Sequence, residues 1–106
     1  MVGYTLELIC FSQNQLVLHF DRKLTITVIS ALSHSDPSKL ADELIEIPVL
    51  QSDLMQLLEH QITRAFGDQH GNLTLEFENG HILRCLDNSR QYESYMIQFG
   101  DQEIIV

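Results

Sequence analysis

The sequence predicts an α+β domain: an antiparallel β-sheet built from two similar hairpin-containing halves, with one or two short helices between them. Three observations predict it. From Gly71 to Leu86, apolar and polar residues alternate on both sides of Asn79-Gly80, the pattern of a β-hairpin. Leu16-x-Leu18-x-Phe20-Asp21 recurs as Leu73-x-Leu75-x-Phe77-Glu78 at a constant offset (73 − 16 = 57 residues), and each copy turns into an apolar return strand. Between the copies, the stretch from Ser33 to His60 collects the helix signals.

Taken in order, Tyr4 to Phe11 alternates well enough for a strand, with Tyr4, Leu6, Leu8 and Cys10 on one side. Ser12-Gln13-Asn14-Gln15 is a turn. Leu16–Phe20 and Leu24–Val28 follow as strands joined by Asp21-Arg22-Lys23. A three-residue loop sets Phe20 against Leu24, Leu18 against Ile26 and Leu16 against Val28, so one face is apolar throughout. A two-residue loop would send the return strand's apolar residues to the opposite face.

In the central segment, Asp36-Pro37 supplies an N-cap carboxylate and a proline at the first helical position. Leu40 with Leu44, and Ala41 with Ile45, then recur at i, i+4, which predicts a short amphipathic helix ending by Glu46, before Pro48. Ser52-Asp53 starts a second helix with Leu54, Leu57, Leu58 and Ile62 on one stripe. Ile62 to Phe66 could extend that helix, but Gly67 and the following hairpin favour a strand from about Gln61 to Asp68.

There a two-residue Asn79-Gly80 loop places Phe77 across from Ile82, Leu75 from Arg84 and Leu73 from Leu86. Arg84 is the one discord on that face. Asp87 to Arg90 is a loop, Tyr92–Phe99 a strand, Gly100-Asp101 a turn, and Glu103–Val106 the closing strand.

At 106 residues, 44% of them apolar and 20% charged, the chain is expected to be a single domain spanning 1–106 with an ordinary core. No run approaches the roughly 20 apolar residues of a membrane span. Glu7 and the lack of a basic start argue against a leader peptide, so the expected location is the cytoplasm. Six basic against 15 acidic residues give 6 − 15 = −9. That charge speaks against nucleic acid and anionic membranes as partners, and fits a basic protein.

Sites for chemistry are absent from the pattern. His19, His34, His60, His70 and His81 have no metal-ligand spacing, and His19 and His81 are placed away from the apolar faces. Convergence of two or three of them with a carboxylate would be needed for acid–base or metal chemistry; surface histidines are the expectation. Cys10 and Cys85 form no C-x-x-C and are expected as buried free thiols, with a disulfide between them left open. Glu76 and Glu78 share one strand face and read as a solvated surface. No enzyme, cofactor or metal is expected.

The acidic central stretch is the candidate binding surface. Asp36, Asp42, Glu43, Glu46, Asp53 and Glu59 are opposed there by Lys39 alone. Asp36 and Asp53 have work as helix starts; the others have none visible.

Gly71-Asn72-Leu73-x-Leu75-x-Phe77-x-Asn79-Gly80-x-x-Leu83, Tyr92-Glu93-Ser94-Tyr95, and Gly100-Asp101 before Ile104-Ile105-Val106 together resemble a family of small bacterial proteins. That family is largely of unknown function and includes immunity proteins paired with wall-associated and contact-dependent toxins. Leu16-x-Leu18-x-Phe20-Asp21 with Leu24-x-Ile26 fits its first hairpin, while the central segment matches only as helical. The chain departs from the pattern at Tyr95, where such proteins usually carry Trp, and lacks their glycine-rich tail. The resemblance implies a cytoplasmic protein that blocks one cognate toxin domain, a nuclease being the expected activity. Asp42, Glu43, Glu46, Asp53 and Glu59 would meet the basic cleft, with Tyr92 or Tyr95 as aromatic anchor. The competing expectation is a self-associating structural or regulatory module that forms a homodimer through an exposed sheet edge.

Overall fold

The computed structural model describes residues 1–49, 52–87 and 94–105, and of residues 104 and 105 the backbone only. Among them the chain forms ten strands and a single 3₁₀ turn. The strands are β1 (Leu6–Phe11), β2 (Leu16–Phe20), β3 (Leu24–Val28), β4 (Ala31–Ser35), β5 (Glu43–Glu46), β6 (Ile62–Gly67), β7 (Leu73–Phe77), β8 (Ile82–Leu86), β9 (Tyr95–Phe99) and β10 (Gln102–Ile105). They make two antiparallel five-stranded sheets, ordered β1-β2-β3-β9-β10 and β5-β4-β8-β7-β6. Inward residues of both sheets share one apolar core.

The expected α+β class is therefore corrected to all-β, and both predicted helices fail for local reasons. The Asp36 carboxylate does accept from the Ser38 amide (2.9 Å) and hydroxyl (2.7 Å), as an N-cap would. But the chain closes one tight turn, with the Lys39 amide donating to the Asp36 carbonyl, and then extends. An Asp side chain bonding two residues on makes an Asx turn as readily as a helix start. Downstream, Glu43-Leu44-Ile45-Glu46 buries only Ile45, the period-2 pattern of an edge strand, and Leu40 stands fully in solvent. The second helix shrinks to the 3₁₀ turn Leu54–Leu57, whose two end leucines plug the core. The strand expected near 61–68 is present as β6.

The first hairpin has the predicted three-residue loop and register, with Leu16 against Val28 and Leu18 against Ile26. The second differs by one residue. Leu75 faces Leu83 and Leu73 faces Cys85, while the Phe77 amide donates to the His81 carbonyl across Glu78-Asn79-Gly80. The loop thus has three residues in both hairpins, and Gly80 takes the positive φ (90°) that its last position needs. This slip turns Arg84 outward, where its Nε donates to Thr74 Oγ1 (3.2 Å), and turns His81 inward. The outward placement expected for His81 is corrected accordingly. Cys10 is exposed, contrary to expectation, and Cys85 is buried; both are free thiols. Burial pushes the Cys85 thiol up to about 12.

The 57-residue repeat is the visible trace of a larger order. Each half is a three-strand meander, β1-β2-β3 or β6-β7-β8, whose next two strands cross over to finish the other half's sheet. The halves meet along a local two-fold at Thr5 and Gln61, which bridge each other. Around them the bonds come in matched pairs. The Leu6 amide donates to the His60 carbonyl (3.0 Å) as Ile62 donates to Tyr4 (2.8 Å), and Gly3 donates to Ile62 (2.7 Å) as Glu59 donates to Leu6 (2.8 Å). Both β1 and β6 carry a bulge just after this point.

Matched positions expose a strained one. Gly3 and Glu59 both have positive φ, 87° and 70°, a conformation that costs a side-chain-bearing residue and not glycine. Glu59→Gly is expected to stabilise the protein by about 0.5–1 kcal/mol, the strain relieved less the added freedom of the unfolded chain. An unchanged or lower urea midpoint would show that Glu59 is held there by something the backbone alone does not reveal.

Candidate functional site

The acidic residues expected to form one surface divide by fold position. Asp42, Glu43 and Glu46 lie on or beside β5, which among the described residues is an edge of its sheet with β4 as its neighbour. Leu44 and Glu46 are exposed on the outer side, next to exposed Asp42 and Leu40, whereas Glu43 turns to the inner side with Ile45 and is half-buried. Asp53 is tied to Lys39 in an ion pair and is largely neutralised. That pair draws the Lys39 ammonium upward from its ordinary value, the bond to Asp53 being the main cause. Glu59 sits just before β6, at the far edge of the same sheet, and does not join the others.

Of the two tyrosines expected as anchors, only Tyr95 is described, and it is not on the surface. Tyr92 lies outside the described residues. Tyr95 is in β9 with its ring in the core, and its hydroxyl donates to the Gly71 carbonyl at 2.5 Å. Burial raises its phenol above the ordinary value. Tyr95 acts as a brace between β9 and the turn before β7.

A second cluster forms where β4 and β8 end. His34 of β4 and His81, just before β8, lie with Nε2 and Nδ1 2.8 Å apart and their rings stacked at 5.1 Å between centroids. Asp36 Oδ1 stands 3.8 Å from the other nitrogen of His81. All three residues are buried. Burial, then the neighbouring His81, lowers His34 from its ordinary value, against upward pulls from Asp36, Glu43 and Asp53. The Ser38 amide, followed by its hydroxyl, holds the Asp36 carboxyl below the usual range.

The sheet brings these groups together by register alone. His34 pairs with Leu83 on one side and with Glu43 on the other, and Asp36 follows two residues after His34. Sequence reasoning missed the cluster because the one-residue slip had turned His81 outward. The signal was present: at the 57-residue offset, His81 occupies the place of Leu24, which is wholly buried. Among the described residues no group of three or more His, Cys, Asp or Glu is arranged to hold a metal ion. The pair can share one hydrogen, and Asp36 can face a positive charge on His81.

Among the described residues no helix is long and apolar enough to cross a membrane. The model of a family of unknown function, DUF6188, matches the chain over residues 1–106. No curated protein and no solved structure matches it.

Proposed function

The chain belongs to this family of unknown function, so its activity has to be read from its own surface, and we propose that it is a cytoplasmic protein-binding domain that neutralises a cognate, basic toxin domain. A phosphate-gripping nuclease is the toxin chemistry that its charge fits best. The observation that carries the reading is the β5 edge. Among the described residues it is an edge strand, with exposed Leu40 and Leu44 as apolar contacts and Asp42 and Glu46 as charges, in a chain of net charge −9. An extended segment rich in Lys or Arg could add to that edge as a further strand, with backbone bonds giving affinity and the carboxylates giving choice of partner.

The same edge is poorly suited to a second copy of this chain. Antiparallel pairing of β5 with itself centred on Leu44 would set Asp42 directly against Glu46 twice over on the outer face. Like charges opposite one another destabilise a strand pair. The carboxylates therefore discriminate against self-association while leaving the edge open to a cation-rich strand.

Asp42→Lys with Glu46→Lys tests the reading without touching inward-facing Glu43. Tagged protein should capture a basic partner at low salt, and the double variant should bind that partner about tenfold more weakly with its thermal midpoint unchanged. Glu7→Lys with Glu103→Lys, on the other sheet, serves as control and should bind normally. Cells making the captured partner should be protected by the parent protein and not by the double variant. Equal binding by both variants would remove β5 from consideration, and a clean bait running as a dimer would favour the self-associating module.

A further inference from the structure

We propose that His34 and His81 form a proton-operated latch between the β4–β5 edge and the β7–β8 turn, closed while the pair carries at most one extra proton and opened by a second. The latch is a property of the fold and can be read without any partner. Where the docking reading also holds, the latch sets the pH range over which the acidic edge stays formed.

The first support comes from inside the molecule. The two halves place residues at matched positions, so each half is a control for the other. His81 stands across from Phe77 as Leu24 stands across from Phe20, and His34 faces Leu83 on the neighbouring strand as Ile97 faces Ile26. One pair beyond Ser35–Ile82, the β4–β8 register sets Asp36 across from His81, where the other half has Phe99 across from Leu24. Leu24 and Ile97 are buried apolar residues doing the same packing job. The fold therefore does not need a polar trio at this place, and one half has it while the other has not.

The second support is chemical. A single hydrogen fits between His34 Nε2 and His81 Nδ1, since one ring must donate and the other accept. A protonated imidazole carries hydrogen on both nitrogens. With one ring protonated the bond survives; with both, N–H meets N–H at hydrogen-bonding distance and two cations stack in a buried site. The charged groups around His34 are His81, Asp36 in the following turn, Glu43 on β5 and Asp53 before the 3₁₀ turn. Lys39 is bound to Asp53 and sits within the same field. Burial and the neighbouring His81 hold the proton off His34, against the pull of the three carboxylates.

The sign follows. His34 binds its proton less readily in the folded protein than in the unfolded chain, where the value is about 6.5. Its contribution to stability is complete above that value and is lost as pH falls toward and through the folded one. Asp36 and Asp68 are held below the ordinary carboxylate value, so they titrate under this window. What gives way first is local: β4, β5 and the Asp36–Lys39 turn.

The test follows the five imidazoles of the full-length protein by NMR from about pH 8 to about pH 4.5, alongside amide hydrogen exchange. His34 should titrate below about 6.5, and exchange in β4, β5 and the turn should rise about tenfold as it does, with β2, β3 and β9 unmoved. His34→Ile with His81→Leu, which installs the other half's residues, should abolish the acid response. His34→Gln should do the same while keeping a polar neighbour for His81, and it decides the matter if the double variant fails to fold. Titration of His34 at or above the unfolded value, a rise spread evenly over both sheets, or a response that persists in His34→Gln would each overturn the latch.

Discussion

Phe77→Ala is expected to cost about 3–4 kcal/mol of folding stability, and Phe20→Ala very nearly the same. The two rings end their strands at matched positions of the two halves and stack on one another across the sandwich, 6.5 Å between centroids and 18° from parallel. Each is almost fully buried. Truncation removes the transfer free energy of the ring and leaves a cavity between two hydrogen-bonded sheets that cannot readily collapse into it. The pair also carries a direct term. In the double variant the loss should fall short of the sum of the singles by about 1 kcal/mol, because the ring left behind in each single has already lost its stacking partner. Denaturant midpoints of the four proteins measure all of this. A Phe20→Ala cost under about 1 kcal/mol would mean that the halves do not share their core at this point, and the matched-halves description would fail with it.

That description was partly legible in the sequence. Alternation in Leu16–Phe20, Leu24–Val28 and Leu73–Phe77 is the direct image of strands with one buried face, and the offset between Phe20 and Phe77 marked equivalent positions. Two local ambiguities defeated the rest. Asn79-Gly80 satisfies a two-residue turn, yet the chain uses Gly80 as the last residue of a three-residue loop; Arg84 on an apolar face was the mark that the shorter loop was wrong. Asp36-Pro37 with Leu40, Leu44 and Ile45 satisfies a helix, yet an isolated turn of helix is weak and β4 presents an open edge that Glu43–Glu46 can join. The crossing of β4-β5 and β9-β10 between the sheets left no local mark at all, since which strand pairs with which is decided by distant contacts.

The candidate site was legible to a different degree. Net charge and the run of carboxylates were read correctly as composition, but grouping them required the fold. A helix would have put Asp42, Glu43 and Glu46 on one solvent face; a strand sends Glu43 inward and leaves Leu44 outside. The histidine pair could not be seen without the register, because residues 47 apart meet there only through the β4–β8 pairing.

Gly71→Ala is expected to cost about 3 kcal/mol, far more than the same change at Gly100. Gly71 has φ 85°, and a Cβ there would lie 2.4 Å from Asp87 Oδ2 and 3.2 Å from its Cβ. Asp87 is not free to swing aside. Its amide donates to Asn72 Oδ1 (2.8 Å), and its carboxylate accepts from the Ser94 hydroxyl (2.9 Å), so yielding breaks the bond that ties β8 to the start of β9. The turn is fixed from beneath as well. Asp68 accepts from the amides of His70 and Asn72, and the Tyr95 hydroxyl bonds the Gly71 carbonyl itself. Gly100 has φ 52° with nothing within 4 Å of its would-be Cβ, so Gly100→Ala pays backbone strain alone, about 1 kcal/mol. The difference between the two measured losses isolates the clash from the conformation. Equal losses would mean that Asp87 moves without resistance and that the Asn72–Asp87–Ser94 chain does not brace β8 against β9.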